Sequence, residues 1–138
     1  MNIAFLTAGG IAPCLSSSIS SLIKYYNKSN HENNNFFGYL HGYKGLLTGN
    51  IIKIPNVDYI SELNNFGGSI LGNSRVKLSN VDDCVKNGYV KNGQNPLEIA
   101  ANQLRKDKID VLHTIGGDDT NTTAGDLVEY LASIDYNL

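Results

Sequence analysis

Hydrophobic positions along the 138-residue chain alternate between two rhythms. Apolar runs at Asn2 to Thr7, Phe36 to Leu40, Ile51 to Ile54 and Val111 to Ile115 are too short for typical helices and predict strands. Leu15, Ile19, Leu22, Ile23 and Tyr26 recur instead at helical spacing, as do Leu97, Ala100, Ala101 and Leu104, and then Leu127, Tyr130, Leu131 and Ile134. Pro96 suits the first turn of the second of these helices, where no internal N–H partner is lost. The third helix is expected to begin near Asn121 or Thr122. Strands alternating with helices predict an α/β fold, a parallel sheet covered on both faces. The length fits one compact piece, since domains average about 150 residues. If a further parallel strand belongs beside Val111 to Ile115, its absence leaves an open edge prone to aggregation. The stretch from Asn27 to Asn35 reads as a solvated loop.

Chemistry concentrates in glycine turns at the predicted strand and helix junctions. Ile115-Gly116-Gly117-Asp118-Asp119-Thr120-Asn121-Thr122-Thr123 packs glycines, carboxylates and hydroxyls between a strand and a helix start. Backbone N–H groups there would face an anion, and Asp118 could hold a divalent cation against phosphate oxygens. A plain strand-to-helix turn with an acidic cap is the competing reading. At the first strand end, Thr7-Ala8-Gly9-Gly10-Ile11-Ala12-Pro13-Cys14-Leu15-Ser16 leads into a helix whose first turn is crowded by Ser16, Ser17 and Ser18. It lacks GxGxxG and the GK[ST] ending of a P-loop, and reads equally as a phosphate cradle or a packing turn. In Phe66-Gly67-Gly68-Ser69-Ile70-Leu71-Gly72-Asn73-Ser74-Arg75 the arginine offers a planar fork of donors for phosphate. Alone it would read as a surface loop; three turns of one chemical type point toward phosphate binding.

Together these motifs resemble the phosphofructokinase family, and within it the pyrophosphate-dependent branch. The family's TSGGDAPGMN-like turn corresponds to Thr7 through Ser17, its GYxGL turn to Gly42-Tyr43-Lys44-Gly45-Leu46, its GGxxLGxxR loop to Gly67 through Arg75, and its GGDGS or GGDDS loop to Gly116 through Thr120. The resemblance implies a Rossmann-like parallel sheet with helices on both faces. Residues 1–138 would be the amino-terminal, phosphate-donor-binding portion of that domain, truncated. It further implies that Gly10 sits against the donor phosphates, Tyr43 lines the donor pocket, Arg75 pairs with phosphate oxygens, Asp118 holds Mg2+ and Thr120 supplies a hydroxyl to the transferring phosphate. Asp119 would set the donor, because ATP-using members have glycine there. A carboxylate where the α-phosphate of a nucleotide must lie repels it by about 4 kcal/mol at about 4 Å and an effective dielectric of about 20, unless a lysine or metal intervenes. The implied reaction moves a phosphoryl group from diphosphate to the C1 hydroxyl of fructose 6-phosphate, in glycolysis, and the full-length protein would be a homo-oligomer.

The family's PKTIDND-like motif, whose aspartate is the base for the sugar hydroxyl, is expected beyond Leu138, so no catalytic base is assigned within the chain and the isolated chain is expected to be inactive. Ser133-Ile134-Asp135-Tyr136 resembles part of that motif but arrives too early, and Asp135 reads as a solvated helix-end residue. Two other readings stand: an ATP-dependent kinase of the phosphofructokinase or NAD-kinase superfamily, and a non-catalytic phosphate-binding subunit. The net charge of −2 without a basic run argues against nucleic acid. No apolar stretch reaches transmembrane length, and no secretory signal opens the chain. Cys14 and Cys84 lack metal spacing and read as free thiols in a reducing cytoplasm. His31, His41 and His113 form no ligand pattern, and His113 reads as a core residue.

Overall fold

A computed structural model of the chain describes residues 1–9, 12–29, 34–55, 58–136 and 138, the side chains of residues 58–60 excepted. Gly10 and Ile11 of the first glycine turn lie outside the described residues, as do 30–33 of the asparagine-rich stretch, His31 among them. The chain runs β1 (Asn2–Ala8), α1 (Leu15–Lys28), β2 (Asn35–Tyr39), α2 (Tyr43–Thr48), β3 (Ile51–Ile54), α3 (Asp58–Leu63), α4 (Val81–Lys86), α5 (Pro96–Lys106), β4 (Val111–Gly116) and α6 (Asp118–Ser133). The four strands and three long helices stand where the hydrophobic rhythm places them. Helices α2, α3 and α4 have six residues each, too few for an apolar stripe to declare itself.

The sheet order is β3-β2-β1-β4. Strand β1 is parallel to both β2 and β4, whereas β3 is antiparallel to β2. The all-parallel expectation therefore fails at one edge. A parallel crossover needs roughly a dozen residues or more; here the short connection through α2 folds back, with Leu40 N–H donating to Asn50 O and Asn50 N–H to Gly45 O. Strand β4 forms the other edge, paired only with β1 within the sheet.

Alternation along β1 builds two cores. Ala4, Leu6 and Ala8 face one layer with Leu46 of α2, Ala100, Ala101 and Leu104 of α5, and Leu127 and Leu131 of α6. Ile3 and Phe5 face the other, with Ile19 and Ile23 of α1 and Leu63 of α3. Period-2 alternation in the strand and a stripe on each helix account for this division. Asn95 caps α5 by accepting from Leu97 N–H, with Pro96 in the first turn. No helix among the described residues is long and apolar enough to cross a membrane.

Helix α6 begins at Asp118, earlier than the expected start at Asn121 or Thr122. Gly117 is the N-cap, and its carbonyl accepts from the N–H groups of Thr120 and Asn121. The reason for the shift is electrostatic: Asp118 and Asp119 belong inside the first turn, where carboxylates favour the positive end of the helix dipole. His113 of β4 stacks on Phe5 at 5.3 Å and shares a 3.0 Å hydrogen bond with the Tyr26 hydroxyl. Burial lowers its pKa below the ordinary 6.5, in keeping with a core role.

Gly45 has no room for a side chain, because an added Cβ would stand 2.0 Å from Leu40 O. Gly45→Ala is expected to cost about 1–3 kcal/mol, read as a lowered denaturant midpoint. His113 has a folded pKa below its unfolded value, so its contribution is intact above 6.5 and is lost as the pH falls through and below that value. His113→Gln should flatten that acid limb in unfolding measurements between about pH 5 and 7.

Candidate active site

Three strand ends converge because glycines remove the atoms that would keep them apart. At Gly42, with φ of 64°, an added Cβ would lie 2.6 Å from Thr7 O; at Gly116 it would lie 2.2 Å from Ala8 O and 2.3 Å from Thr120 Oγ1. Both clashes are with atoms of the opposing turn, so these positions permit the close approach of β1, α2 and α6. The Tyr43 hydroxyl, fully buried, donates to Thr120 O at 2.9 Å and ties α2 to the first turn of α6. Burial raises the Tyr43 phenol well above its ordinary value of 10.0, so it stays a donor.

The segment between α3 and α4 closes the site. Gly9 N–H donates to Ser74 O, and Ser74 Oγ donates to His41 O at 2.6 Å. Thr7 Oγ1 donates to Gly72 O at 2.9 Å and accepts from Ser69 Oγ at 2.5 Å. Ser16 Oγ donates to Gly68 O at 2.7 Å and accepts from Ile70 N–H at 3.1 Å. Ser17 and Ser18 turn back onto Cys14 O, each at 2.9 Å. These bonds suit the packing-turn reading of the serines, while Gly10 and Ile11 of the same turn lie outside the described residues. The serine hydroxyls are spent on the backbone, as short polar side chains at helix starts often are.

What remains is a cavity of about 410 Å³. Tyr43, Arg75, Asp118, Asp119 and Thr120, five of the six residues singled out from the sequence, all line it, together with Ala8, Gly9 and the turn at Gly117. Tyr43 contributes wall only, its hydroxyl being committed to Thr120. Thr120 is itself buried and packed against Gly9 and Gly116. Arg75 is exposed and makes no ion pair or hydrogen bond among the described residues. Asp135 lies past the far end of α6 from the cavity, exposed, as expected of a helix-end residue.

Lys77 was not singled out from the sequence. It lines the cavity, and its Nζ lies 2.9 Å from Asp119 Oδ1. Asp119 therefore does not present a bare charge, and the repulsion expected of an isolated carboxylate is offset by the intervening lysine. The pair is open to solvent, the side chains being 46% and 74% exposed, so it adds little to stability. Its signal in the sequence was the alternation Arg75-Val76-Lys77-Leu78, exposed and buried in turn, which sets both cations on one side of an extended segment.

A divalent cation fits this donor set in one way. No group of three or more potential ligands occurs among the described residues, so no all-protein cage is built. Asp118, which has no ion-pair partner among the described residues, suits a hard cation that keeps most of its shell as water and other oxygen ligands.

A cavity lined by charged side chains at the carboxyl ends of parallel strands, beside a helix start, is the usual place for a ligand site in an α/β domain. The chain belongs to the phosphofructokinase family, whose model, described as Phosphofructokinase, matches residues 2–136. It is 54% identical over 138 residues to the pyrophosphate–fructose 6-phosphate 1-phosphotransferase of Mastigamoeba balamuthi, covering 99% of this chain and 33% of the relative. It is 56% identical over 138 residues to the protein of that name in Propionibacterium freudenreichii subsp. shermanii, covering 99% and 34%. The chain thus spans about a third of the length of these relatives. The crystal structure of a pyrophosphate-dependent phosphofructokinase from Marinobacter aquaeolei superposes with a TM-score of 0.79 at 19% identity, covering 100% of this chain and 32% of that one. At that identity the likeness shows the fold.

Tyr43→Phe removes the donor to a buried carbonyl, and an unsatisfied group of this kind costs about 1–3 kcal/mol. The expected result is a lowered unfolding midpoint, measured against a Tyr25→Phe control on an exposed ring.

Proposed function

We propose that the chain is the donor-binding part of a pyrophosphate-dependent 6-phosphofructokinase, which transfers a phosphoryl group from diphosphate to fructose 6-phosphate to give fructose 1,6-bisphosphate and phosphate. The observation that carries this reading is the doublet Asp118-Asp119 in the first turn of α6, lining a cavity shared with Arg75. The names of the relatives at 54% and 56% identity agree with it.

Phosphoryl transfer asks a protein mainly to align donor and acceptor and to neutralise charge on the transferred oxygens. Arg75 grips donor oxygens through its fork of N–H groups, and Thr120 offers its hydroxyl beside the transferring phosphate. Asp118, with Asp119 near it, would hold Mg2+, which when bound spreads the charge of the phosphate oxygens. Gly10, outside the described residues, belongs to the turn nearest the donor. Asp119 occupies volume that a longer nucleotide donor would need, and diphosphate ends short of it. Because Lys77 neutralises that carboxylate, exclusion of ATP rests on occupied space more than on repulsion. The acceptor sugar and the base for its hydroxyl are assigned to the part of the enzyme that the chain does not span. The whole enzyme is assigned to the cytoplasm, as a homo-oligomer.

The test is donor use by the full-length enzyme carrying Asp119→Gly. Removing the side chain should lower kcat/KM for diphosphate by about tenfold or more and allow measurable turnover with ATP. Unchanged donor preference would remove the basis for placing the chain in this branch. Asp118→Asn should raise the Mg2+ concentration for half-maximal rate by about tenfold, one carboxylate charge being lost from the cation's shell.

A further inference from the structure

We propose that Thr7 is a positioning residue for Arg75: its hydroxyl, out of reach of any ligand, holds the glycine loop of residues 67–75 against β1. This rests on the assignment of diphosphate as donor.

Thr7 is fully buried, one residue before Ala8 and Gly9, which line the cavity. A buried hydroxyl is costly unless it is hydrogen-bonded, and Thr7 finds both of its partners in the loop. Its Oγ1 donates to Gly72 O at 2.9 Å and accepts from Ser69 Oγ, which itself accepts from Leu71 N–H at 3.1 Å. The three bonds fold residues 69–72 onto the end of β1. Gly9 N–H, from the same strand end, then donates to Ser74 O, and Arg75 is the next residue.

Packing does not hold the start of this loop. A Cβ added at Gly67 or Gly68 would meet nothing within 4 Å, and Gly68 has a φ of 81°. Hydrogen bonds confine it instead, from Ser16 Oγ to Gly68 O and from Ile70 N–H to Ser16 Oγ. Beyond the loop, Val76 is buried and fixes the chain after Arg75, while the Thr7 bonds fix it before. Arg75 makes no ion pair among the described residues, so its guanidinium stands where this backbone puts it. A fork that grips two phosphate oxygens at once is sensitive to that placement. A displacement of about 1 Å, even one caused far from the chemistry, can cost about 100-fold.

The experiment measures steady-state kinetics of the full-length enzyme with diphosphate and fructose 6-phosphate for Thr7→Val, Thr7→Ser, Arg75→Met and the Thr7→Val/Arg75→Met double variant. Valine keeps the shape of threonine and removes the hydroxyl. Thr7→Val should raise KM for diphosphate by about fivefold or more and leave KM for fructose 6-phosphate within about twofold. Thr7→Ser, which keeps the hydroxyl, should stay within about twofold of wild type for both. In the double variant the loss should exceed that of Arg75→Met by no more than about twofold, because Thr7 acts through the arginine. Ser17→Ala is the control, since its hydroxyl bonds only to Cys14 O of its own helix end. A structural role alone would lower the melting temperature of Thr7→Val without a selective loss for diphosphate. A diphosphate KM within about twofold of wild type in folded Thr7→Val would therefore overturn the proposal, as would equal losses for both substrates or additive effects in the double variant. If Thr7→Val does not fold, Ser69→Ala removes the outer hydroxyl of the same relay and is judged by the same criteria. Failure of the wild-type enzyme to use diphosphate would instead refute the donor assignment, and the proposal with it.

Discussion

Close backbone approach at the ends of β1, β2 and β4 is the constraint on which the rest of the site depends. Gly42 and Gly116 lack the Cβ atoms that would strike Thr7 O and Ala8 O, and the buried Tyr43 hydroxyl locks the approach by donating to Thr120 O. A buried carbonyl without its donor is costly, so the first turn of α6 has one place to sit. Asp118, Asp119 and Thr120 inherit their positions from that lock.

Hydroxyls and charges have separate roles around this junction. The hydroxyls of Thr7, Ser16 and Ser74 donate to backbone carbonyls and that of Ser69 to Thr7 Oγ1, stitching the glycine loop to β1, α1 and the turn before α2. Uncharged groups used in this way set a shape. The charged groups are left at the cavity: Arg75 and Lys77 on the extended segment, Asp118 and Asp119 on the helix. Such a surface suits a ligand that carries both anionic oxygens and a cation, the chemistry of the metal-bound phosphate donor proposed above.

The two cores give this junction its rigidity. Because β1 is covered on both faces and lies between β2 and β4, its carboxyl end cannot shift without disturbing both layers. The antiparallel β3 closes one side of the sheet through a connection too short for a crossover. That connection is also what brings α2, and with it Tyr43, back against the end of β1.

Much of this was legible in the residues. Long apolar stripes and short apolar runs identified α1, α5, α6 and every strand, because burial periodicity is a local property that neighbours cannot alter. Glycine turns with carboxylates and an arginine marked residues that line one cavity for the same reason: the chemistry of a side chain is written in its identity. The tertiary structure decided what depends on distance between parts remote in sequence. It reversed β3, moved the start of α6 forward to enclose the acidic doublet, turned the α1 serines onto the backbone, and set Lys77 against Asp119 across 42 positions of chain. No local pattern specifies an ion pair at that separation, since it forms only when packing brings two surfaces together.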